Sequence, residues 1–303
     1  MSKIELYNAD CLEQMKKISN ETIDLIVTSP PYYAGKEYED QNKTLDGYLS
    51  YKNFLINIFK ESHRILKKGG HLWINIDDVH TSLKSVFKVN KVLPTHAYLI
   101  TELSDIFDYK EMILWRKIRG KHASGGSQRL LGSYGRFGSP GSIPIVQECE
   151  YILWFKKGGI RKDLNDALRK KSALTNEEFK QYGMQIWDIK PERAKRVGHP
   201  APFPTEIPER IIKLSSFVGD TVLDCFMGSG TTGIACKKLN RNFIGIELNK
   251  KYFDIAQDRI NNTPVFINNK EIIPTKNKEN KENKENEKNK NNESKYSTIE
   301  WME

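Results

Sequence analysis

The sequence lacks the features of a membrane or secreted protein. No apolar run approaches the roughly 18 residues that a membrane-spanning helix needs. The opening stretch MSKIELYNAD has no apolar core of the kind that a signal peptide carries. We therefore expect a cytoplasmic protein with no membrane partner.

Cysteine and histidine are scarce and scattered. The four cysteines (Cys11, Cys149, Cys225 and Cys236) lie far apart without any C-x-x-C spacing, and the six histidines do not cluster. This pattern favours small buried hydrophobic residues in a reducing compartment over disulfides or metal ligands. We expect no metal site.

Acidic residues are absent from one internal stretch, although the whole chain has a net charge of +9. Residues 112–147 contain six basic residues and no Asp or Glu, and seven glycines fall between Gly120 and Gly141. A long irregular loop inside a compact domain is uncommon unless it is functional, and a merely solvated loop usually carries both signs of charge. The stretch therefore predicts contact with an acidic partner.

The carboxyl-terminal part has few apolar residues. Residues 276–295 hold 7 Lys and 5 Glu in a repetitive run, which is typical of a disordered, solvated appendage. We expect residues 266–303 to be such a tail.

Short apolar runs alternate with helical patterns along most of the chain. This alternation predicts an α/β fold, a Rossmann-like, mainly parallel sheet with helices on both faces. The pattern from Tyr48 onward predicts a helix that ends on Lys-Lys-Gly-Gly at Gly70. Further on, the sequence predicts a βαβ unit made of a strand (TVLDCF), a glycine turn (MGSGTTG), a helix (IACKKLN) and a second strand (NFIGIEL). Asn249 is a candidate N-cap of the next helix.

The turn of that unit is rich in glycine. Gly228, Gly230 and Gly233 fit G-x-G-x-x-G between a predicted strand and a helix, where the backbone and the helix N-terminus can approach an anionic ligand. Glu247 ends the next strand, where a carboxylate can accept hydrogen bonds from ribose hydroxyls. These residues indicate a nucleoside-containing cofactor. They leave NAD, S-adenosylmethionine and a purely structural turn open.

A second element, Thr28-Ser29-Pro30-Pro31-Tyr32-Tyr33, follows the apolar run IDLIV and is called the Ser29 element. It is either a proline turn capped by packed aromatic rings or a site for an amine. A hydroxyl and a rigid proline carbonyl can accept the N–H groups of an exocyclic base amine, and Tyr32 can stack on an extruded base. Parallel strands deliver both elements to one edge of the sheet.

Three motifs (TSPPY, DCFMGSGTTG and HPAPFPTEIPERII) together resemble S-adenosylmethionine-dependent DNA amino-methyltransferases. More narrowly, residues 3–262 resemble the group in which the catalytic element precedes the cofactor loop. The resemblance implies S-adenosyl-L-methionine as cofactor, and it implies that the target amine is held by Ser29, Pro30, Pro31 and Tyr32. The implied cofactor-binding residues are Asp10, Asp224, Phe226, Gly228, Ser229, Gly230, Thr231 and Glu247. The resemblance places Asp10 near the adenine of the cofactor, although Asp10 is equally well explained as a helix N-cap. It places His199–Pro204 along the carboxylate side of the cofactor, although this run by itself favours a proline-rich turn before a helix.

The residue before Pro-Pro-Tyr separates two activities in that group. A Ser there usually accompanies cytosine-N4 methylation and an Asp adenine-N6 methylation, so Ser29 indicates cytosine, with adenine-N6 as the alternative. A dinucleotide-dependent oxidoreductase leaves the Ser29 element unexplained, and an inactive DNA-binding protein leaves the intact glycine loop unexplained. The resemblance also implies a restriction–modification system with a cognate restriction endonuclease for the same site.

The resemblance implies double-stranded DNA as the acidic partner. It divides the chain into a catalytic half (1–117), a DNA target-recognition region (118–198), a cofactor-binding half (199–265) and the tail (266–303). The second charged stretch, residues 156–171, is expected to extend the DNA surface. The candidate DNA-binding residues are Arg116, Arg119, Lys121, Gln128, Arg129, Tyr134 and Arg136.

Overall fold

The computed structural model describes residues 2–32, 45–80, 91–118, 148–161, 164–192, 203–267 and 270–272. At residues 45, 46, 265–267 and 270–272 only the backbone is described. Two units are distinguished, residues 1–262 and residues 263–303. None of the described helices is both long enough and apolar enough to cross a membrane.

The strands are, in chain order, β1 (Ile4–Asn8), β2 (Ile23–Thr28), β3 (Leu66–Ile76), β4 (Val79–His80), β5 (Val92–Leu93), β6 (Asp108–Lys117), β7 (Cys149–Lys156), β8 (Ile186–Ile189), β9 (Thr221–Asp224), β10 (Asn242–Glu247), β11 (Val265–Ile267) and β12 (Lys270–Ile272). The helices are α1 (Cys11–Met15), α2 (Leu45–Ile65), α3 (Thr95–Leu103), α4 (Asp166–Lys171), α5 (Asn176–Tyr182), α6 (Glu206–Ser215), α7 (Thr231–Lys238) and α8 (Lys250–Asn261).

The main sheet of the described chain has the order β1-β10-β9-β2-β3-β7-β6-β8. Its first five strands are parallel, β7 is antiparallel to both β3 and β6, and β8 runs parallel to β6. Every residue of β2 and three of the four residues of β9 are buried, because both faces of these strands are covered. The prediction of a mainly parallel Rossmann-like sheet is confirmed.

Helices cover the sheet on both faces. Side chains of α1, α2 and α3 pack into one buried cluster, which includes Met15, Phe59 and Leu99. Side chains of α6, α7 and α8 form a second cluster on the opposite face, which includes Ile211 and Ile260. Burial of this apolar area on two sides holds the carboxyl ends of the parallel strands in fixed positions.

The predicted end of α2 was wrong. The helix ends at Ile65, and Leu66 already pairs with Ile23 as the first residue of β3. Gly69 has a φ of +77°, and a Cβ on Gly70 would lie 2.9 Å from the carbonyl oxygens of Asp24 and Lys67. The two glycines therefore allow an irregularity inside β3, where the pairing with β2 shifts between Ile23 and Leu25, instead of terminating the helix.

The described residues of the second charged stretch lie away from the two ends of the segment that connects β6 to β7. Residues 119–147 of that segment lie outside the described residues, so a surface shared by the two stretches stays a prediction. Lys156 ends β7 opposite His71, at the edge where the parallel strands begin. Arg161 donates two hydrogen bonds to the carboxylate of Asp220, at 2.5 and 2.7 Å, just before β9 starts. Both residues lie at the edge opposite the carboxyl ends of the parallel strands.

Three of the four cysteines (Cys11, Cys225 and Cys236) are buried, as predicted for small hydrophobic residues, whereas Cys149 is only partly buried. Burial raises the pKa of the Cys11 thiol to about 12, so the thiol stays neutral and packs as an apolar group. In residues 263–303, β11 and β12 form an antiparallel pair, which apart from Val265 falls within the range expected to be a tail. The rest of that range lies outside the described residues.

Candidate active site

A cleft of about 430 Å³ opens at the carboxyl ends of β1, β2, β9 and β10. Its size is suited to a nucleoside-sized ligand. The glycine turn forms one wall and the Ser29 element another, so the structure brings together the two motifs that the sequence singled out. The lining residues of the cleft are Asp10, Cys11, Ser29, Pro30, Pro31, Tyr32, Phe54, Phe203, Cys225, Phe226, Met227, Gly228, Ser229, Thr231, Ile246, Glu247, Leu248, Asn249 and Tyr252.

The glycine turn between β9 and α7 depends on left-handed backbone conformations. Gly228 has a φ of +53° and Gly230 a φ of +81°. A Cβ on Gly230 would lie 3.0 Å from Ala256 Cβ and from Ile260 Cδ1, so this glycine also permits close packing of the turn on α8. Gly228 lines the cleft, whereas Gly230 supports the turn from behind.

Asp224 lies beneath the glycine turn and is fully buried, so it does not line the cleft. Its carboxylate accepts hydrogen bonds from Thr28 Oγ1 at 2.8 Å, Thr232 Oγ1 at 2.6 Å and Phe226 N at 3.1 Å. Burial raises the pKa of Asp224 to about 6, against the effect of these three donors. Because Thr28 directly precedes Ser29, the carboxylate ties the two walls of the cleft together.

Glu247 ends β10 and faces the cleft. Its two carboxylate oxygens accept hydrogen bonds from the backbone N–H groups of Gly228 (2.8 Å) and Asn249 (2.9 Å). These bonds fix the carboxylate plane while each oxygen keeps a further lone pair for a ligand hydroxyl. Burial raises the pKa of Glu247.

Asp10 has the helix-capping role that the sequence predicted as one alternative, and it also lines the cleft. As the N-cap of α1 it accepts a hydrogen bond from Glu13 N at 3.0 Å. Asn249, the predicted N-cap of α8, accepts from the backbone of Lys251 and Tyr252. The two caps thus place polar side chains at the same end of the sheet as the cleft.

An aromatic pair extends the apolar wall of the cleft. Phe54 of α2 contacts Phe226 of the glycine turn edge-on, with ring centroids 6.0 Å apart. Both rings line the cleft, so the helix layer and the turn form one continuous apolar surface there.

The Ser29 element follows β2 directly and turns into the cleft. Ser29 Oγ lies 3.1 Å from the Tyr32 hydroxyl. The carbonyl oxygen of Pro31 accepts a 2.6 Å hydrogen bond from the Tyr51 hydroxyl of α2, which anchors the turn to the helix layer. Tyr33 lies outside the described residues.

Sequence reasoning missed three residues next to this element, namely Asn75, Lys117 and Glu150. Asn75 and Glu150 are 5% and 8% exposed, and both contact the Tyr32 hydroxyl. Lys117 forms an ion pair with Glu150 at 2.5 Å. The available signal was a polar residue inside each of two apolar strands, HLWINI and CEYILWF, because a buried polar group there needs a partner.

Among the candidate DNA-binding residues, Arg116 alone falls in the described part of the chain. Its guanidinium forms a surface fork with the carboxylate of Asp188, at 2.5 and 2.6 Å. The remaining candidates (Arg119, Lys121, Gln128, Arg129, Tyr134 and Arg136) lie outside the described residues, as does most of the HPAPFP motif. Phe203 of that motif lines the cleft. The described residues include no group of His, Cys, Asp or Glu that could hold a metal ion.

Comparison with known proteins gives consistent matches. The sequence model of a family described as DNA methylase matches residues 23–258. The Type II methyltransferase M.MjaI of Methanocaldococcus jannaschii is 34% identical over 277 residues, which cover 82% of this chain and 88% of that protein.

Two solved structures match as well. A protein of Thermus thermophilus, described as a putative DNA modification methylase and solved in complex with S-adenosyl-L-methionine, has a TM-score of 0.70 and 31% identity, covering 88% of this chain and 96% of that one. The cytosine-N4-specific PvuII DNA methyltransferase has a TM-score of 0.62 with 19% identity, covering 89% of each chain. This second likeness concerns the fold alone.

Proposed function

Because the chain belongs to the DNA methylase family, as a methyltransferase of the N6/N4 type, we propose that it methylates the exocyclic N4 of a cytosine in duplex DNA. The methyl donor is S-adenosyl-L-methionine, and the cytosine is flipped out of the helix to reach the cleft. The observation that carries the proposal is the position of Ser29 in the wall of the same cleft that Gly228 of the glycine turn lines. A Ser before Pro-Pro-Tyr is the arrangement that accompanies N4 methylation of cytosine in the group that this sequence resembles.

The chemistry of the cleft fits this cofactor. Glu247 offers a fixed carboxylate for the ribose hydroxyls, and Phe54, Phe226 and Phe203 offer apolar walls. The turn at Gly228 would hold the methionine part of the cofactor, and the carboxylate of Asp10 is assigned to its adenine. When bound, the cofactor supplies an electrophilic methyl group on a sulfonium centre.

The Ser29 element holds and orients the attacking amine. An exocyclic amine is a poor nucleophile because its lone pair is delocalised into the ring of the base. The Ser29 hydroxyl and the Pro30 carbonyl accept its two N–H groups, and this localises the lone pair on nitrogen. The ring of Tyr32 stacks on the extruded base. With the lone pair aimed at the methyl carbon, positioning supplies most of the remaining rate.

The DNA-recognition region is assigned to residues 118–148, which connect β6 to β7. This range is narrower than 118–198, because β7 and β8 belong to the main sheet. Lys117 N donates to Glu148 O at 2.9 Å, so both ends of the loop begin at the cleft edge of the sheet. Its basic residues would bind phosphates, while Gln128, Arg129, Tyr134 and Arg136 are the candidates for reading bases. Residues 1–117 and 199–265 are then the catalytic and cofactor-binding halves of the core.

Similarity to relatives named Type II methyltransferases supports a place in a restriction–modification system. In such a system a cognate restriction endonuclease cleaves the same DNA site when it is unmethylated. No physical contact between the two proteins is required.

The test begins with the purified protein, methyl-labelled S-adenosyl-L-methionine and a long unmethylated duplex DNA of mixed sequence. Enzymatic digestion to nucleosides and mass spectrometry should give N4-methylcytosine. If N6-methyladenine appears instead, the target base of the proposal is wrong and the alternative activity is correct. If no labelled nucleoside appears, methylation of DNA by this chain is refuted.

The role of Ser29 is tested with Ser29→Ala. We expect methyl transfer to fall by about 100-fold or more while cofactor binding, measured by calorimetry, survives. Ser19→Ala is a matched control because Ser19 is exposed and does not line the cleft. Unchanged transfer by Ser29→Ala would remove the element from the chemistry.

A further inference from the structure

A chain of hydrogen bonds leads from Ser29 in the cleft wall to a buried carboxylate on β7. Ser29 Oγ lies 3.1 Å from the Tyr32 hydroxyl, and this hydroxyl donates to Glu150 Oε2 at 2.9 Å. The amide nitrogen of Asn75 donates to both the Tyr32 hydroxyl oxygen (2.5 Å) and Glu150 Oε2 (2.9 Å). Three strands, β2, β3 and β7, thus contribute to one polar network.

The direction of each hydrogen bond follows from the carboxylate of Glu150, at which the series of hydrogen bonds ends. An ionised carboxylate only accepts hydrogen bonds, so the phenol proton of Tyr32 points at Glu150. Asn75 also donates to the phenol oxygen, so the Ser29–Tyr32 bond forms when Ser29 donates its proton to Tyr32. The Ser29 oxygen then presents its lone pairs to a ligand as an acceptor. The network therefore fixes the direction in which the Ser29 hydroxyl donates, and this direction leaves its oxygen free to accept from an incoming N–H group.

The orientation of Asn75 carries a cost in stability. Within the part of the chain that the structure describes, Asn75 Oδ1 is buried and has no hydrogen-bond partner. A buried, unsatisfied polar atom costs about 1–3 kcal/mol. An apolar residue on this strand would avoid the cost, so packing alone does not account for the amide.

Several charged or titratable groups surround Glu150. The ammonium of Lys117 on β6 lies 2.5 Å from Glu150 Oε1 and balances its charge. Tyr32 lies after β2, and the negatively charged Asp77 follows β3. Burial, followed by the negative charge of Glu150, raises the pKa of the Tyr32 phenol well above its usual value. Tyr32 therefore keeps its proton at rest and acts as a carrier between Ser29 and Glu150.

We propose that Glu150 is the terminal acceptor of the proton that the target amine loses during methyl transfer, with Ser29 and Tyr32 as the relay. This inference rests on the proposed function. As the amine nitrogen bonds to the methyl carbon, the carbon–sulfur bond breaks and its electron pair stays on sulfur. The amine proton passes to Ser29 Oγ, the Ser29 proton to the Tyr32 oxygen, and the Tyr32 proton to Glu150 Oε2. Charge is thereby moved from the cleft to the ion pair with Lys117.

The first test is Glu150→Gln in the full-length protein, which keeps the side-chain shape but removes the acceptor. We expect the single-turnover rate on duplex DNA to fall by roughly 100-fold, the scale of general base catalysis, while affinity for S-adenosyl-L-methionine is unchanged. Glu102→Gln removes the same charge from an exposed residue of α3 that does not line the cleft, and it should keep the wild-type rate. A wild-type single-turnover rate in Glu150→Gln overturns the proposal.

Tyr32→Phe supplies a second, independent test that does not disturb the buried ion pair. It keeps the aromatic ring and breaks the relay, so it should slow transfer by a similar factor. The double variant with Glu150→Gln should lose little more than either single variant, because both changes interrupt one path. Losses that multiply in the double variant overturn the relay.

A proton inventory separates a relay from mere positioning. The wild-type single-turnover rate, measured in mixtures of H₂O and D₂O, should depend on the deuterium fraction along a curve, since several protons move together. The curvature should disappear in Tyr32→Phe, and a straight line for the wild type overturns the proposal. If the wild type transfers no methyl group to DNA, the proposed function itself fails. Active wild type with unaffected variants refutes the relay alone.

Discussion

Replacing Asp224 by Asn should make the protein more stable at neutral pH. Asp224 is 0% exposed, and burial raises its pKa from 3.8 to about 6. At about 1.4 kcal/mol per pKa unit, holding this carboxylate ionised in the folded state costs about 3 kcal/mol. An asparagine has the same shape without the charge. Its amide oxygen can accept from Thr28 and Phe226 N, and the Thr232 hydroxyl can rotate to accept from the amide nitrogen.

The pH dependence gives this prediction a definite sign. Between the unfolded pKa of 3.8 and the folded value of about 6, the folded state binds more protons at Asp224 than the unfolded state does. The contribution of Asp224 to the free energy of unfolding therefore falls as pH rises through this window and is constant above it. The variant lacks this loss, so its advantage over the wild type should be near zero at about pH 4 and about 3 kcal/mol at about pH 8.

The measurement is urea denaturation of both proteins at several pH values across that range, followed by fluorescence of the buried Trp73 and Trp187. Comparing the two proteins at each pH cancels the titration of Asp24, whose pKa burial also raises. Asp105→Asn is the control, since Asp105 is exposed and should show no pH-dependent difference. A variant that is equally or less stable than the wild type at the alkaline end would refute the reasoning.

Two further changes test the cofactor and DNA interfaces. Glu247→Gln should weaken binding of S-adenosyl-L-methionine by about 10- to 100-fold in calorimetry, because hydrogen bonds to a charged acceptor are worth about 1.5–3 kcal/mol. The control Glu102→Gln, at an exposed residue, should leave the affinity unchanged. An unaltered affinity in Glu247→Gln would exclude the ribose contact. Replacing Arg129 and Arg136 together by Ala should weaken DNA binding and reduce the slope of log K against log salt by up to about 2, and an unchanged slope would remove both residues from the phosphate contacts.

The glycine turn and the Ser29 element were predictable because each follows directly from local sequence. Left-handed backbone at Gly228 and Gly230 leaves a local signature, and a double proline must end a strand. Parallel strand direction then places both motifs at the same edge without any knowledge of contacts. The cleft could therefore be located from the sequence alone.

The partners of Tyr32 could not be predicted in the same way. Asn75 and Glu150 are 75 residues apart, and they meet because β3 and β7 are antiparallel neighbours. The local pattern left the neighbours and the direction of β7 open, because neither follows from the residues of the strand itself. The start of β3 was missed for a related reason, because Lys-Lys-Gly-Gly after a helix also fits a strand that begins with a tight turn.

The hairpin formed by β6 and β7 has a consequence for how such a protein can change its DNA target. Arg116 pairs with Cys149, so the two ends of the connecting segment are held one strand apart by the sheet itself. Closing a longer connection over the same gap adds only about 0.6 kcal/mol for each doubling of its length. The segment can thus be lengthened, shortened or exchanged with little effect on folding. Under the proposed assignment of DNA recognition to residues 118–148, new sequence preferences can arise by changes in this segment alone.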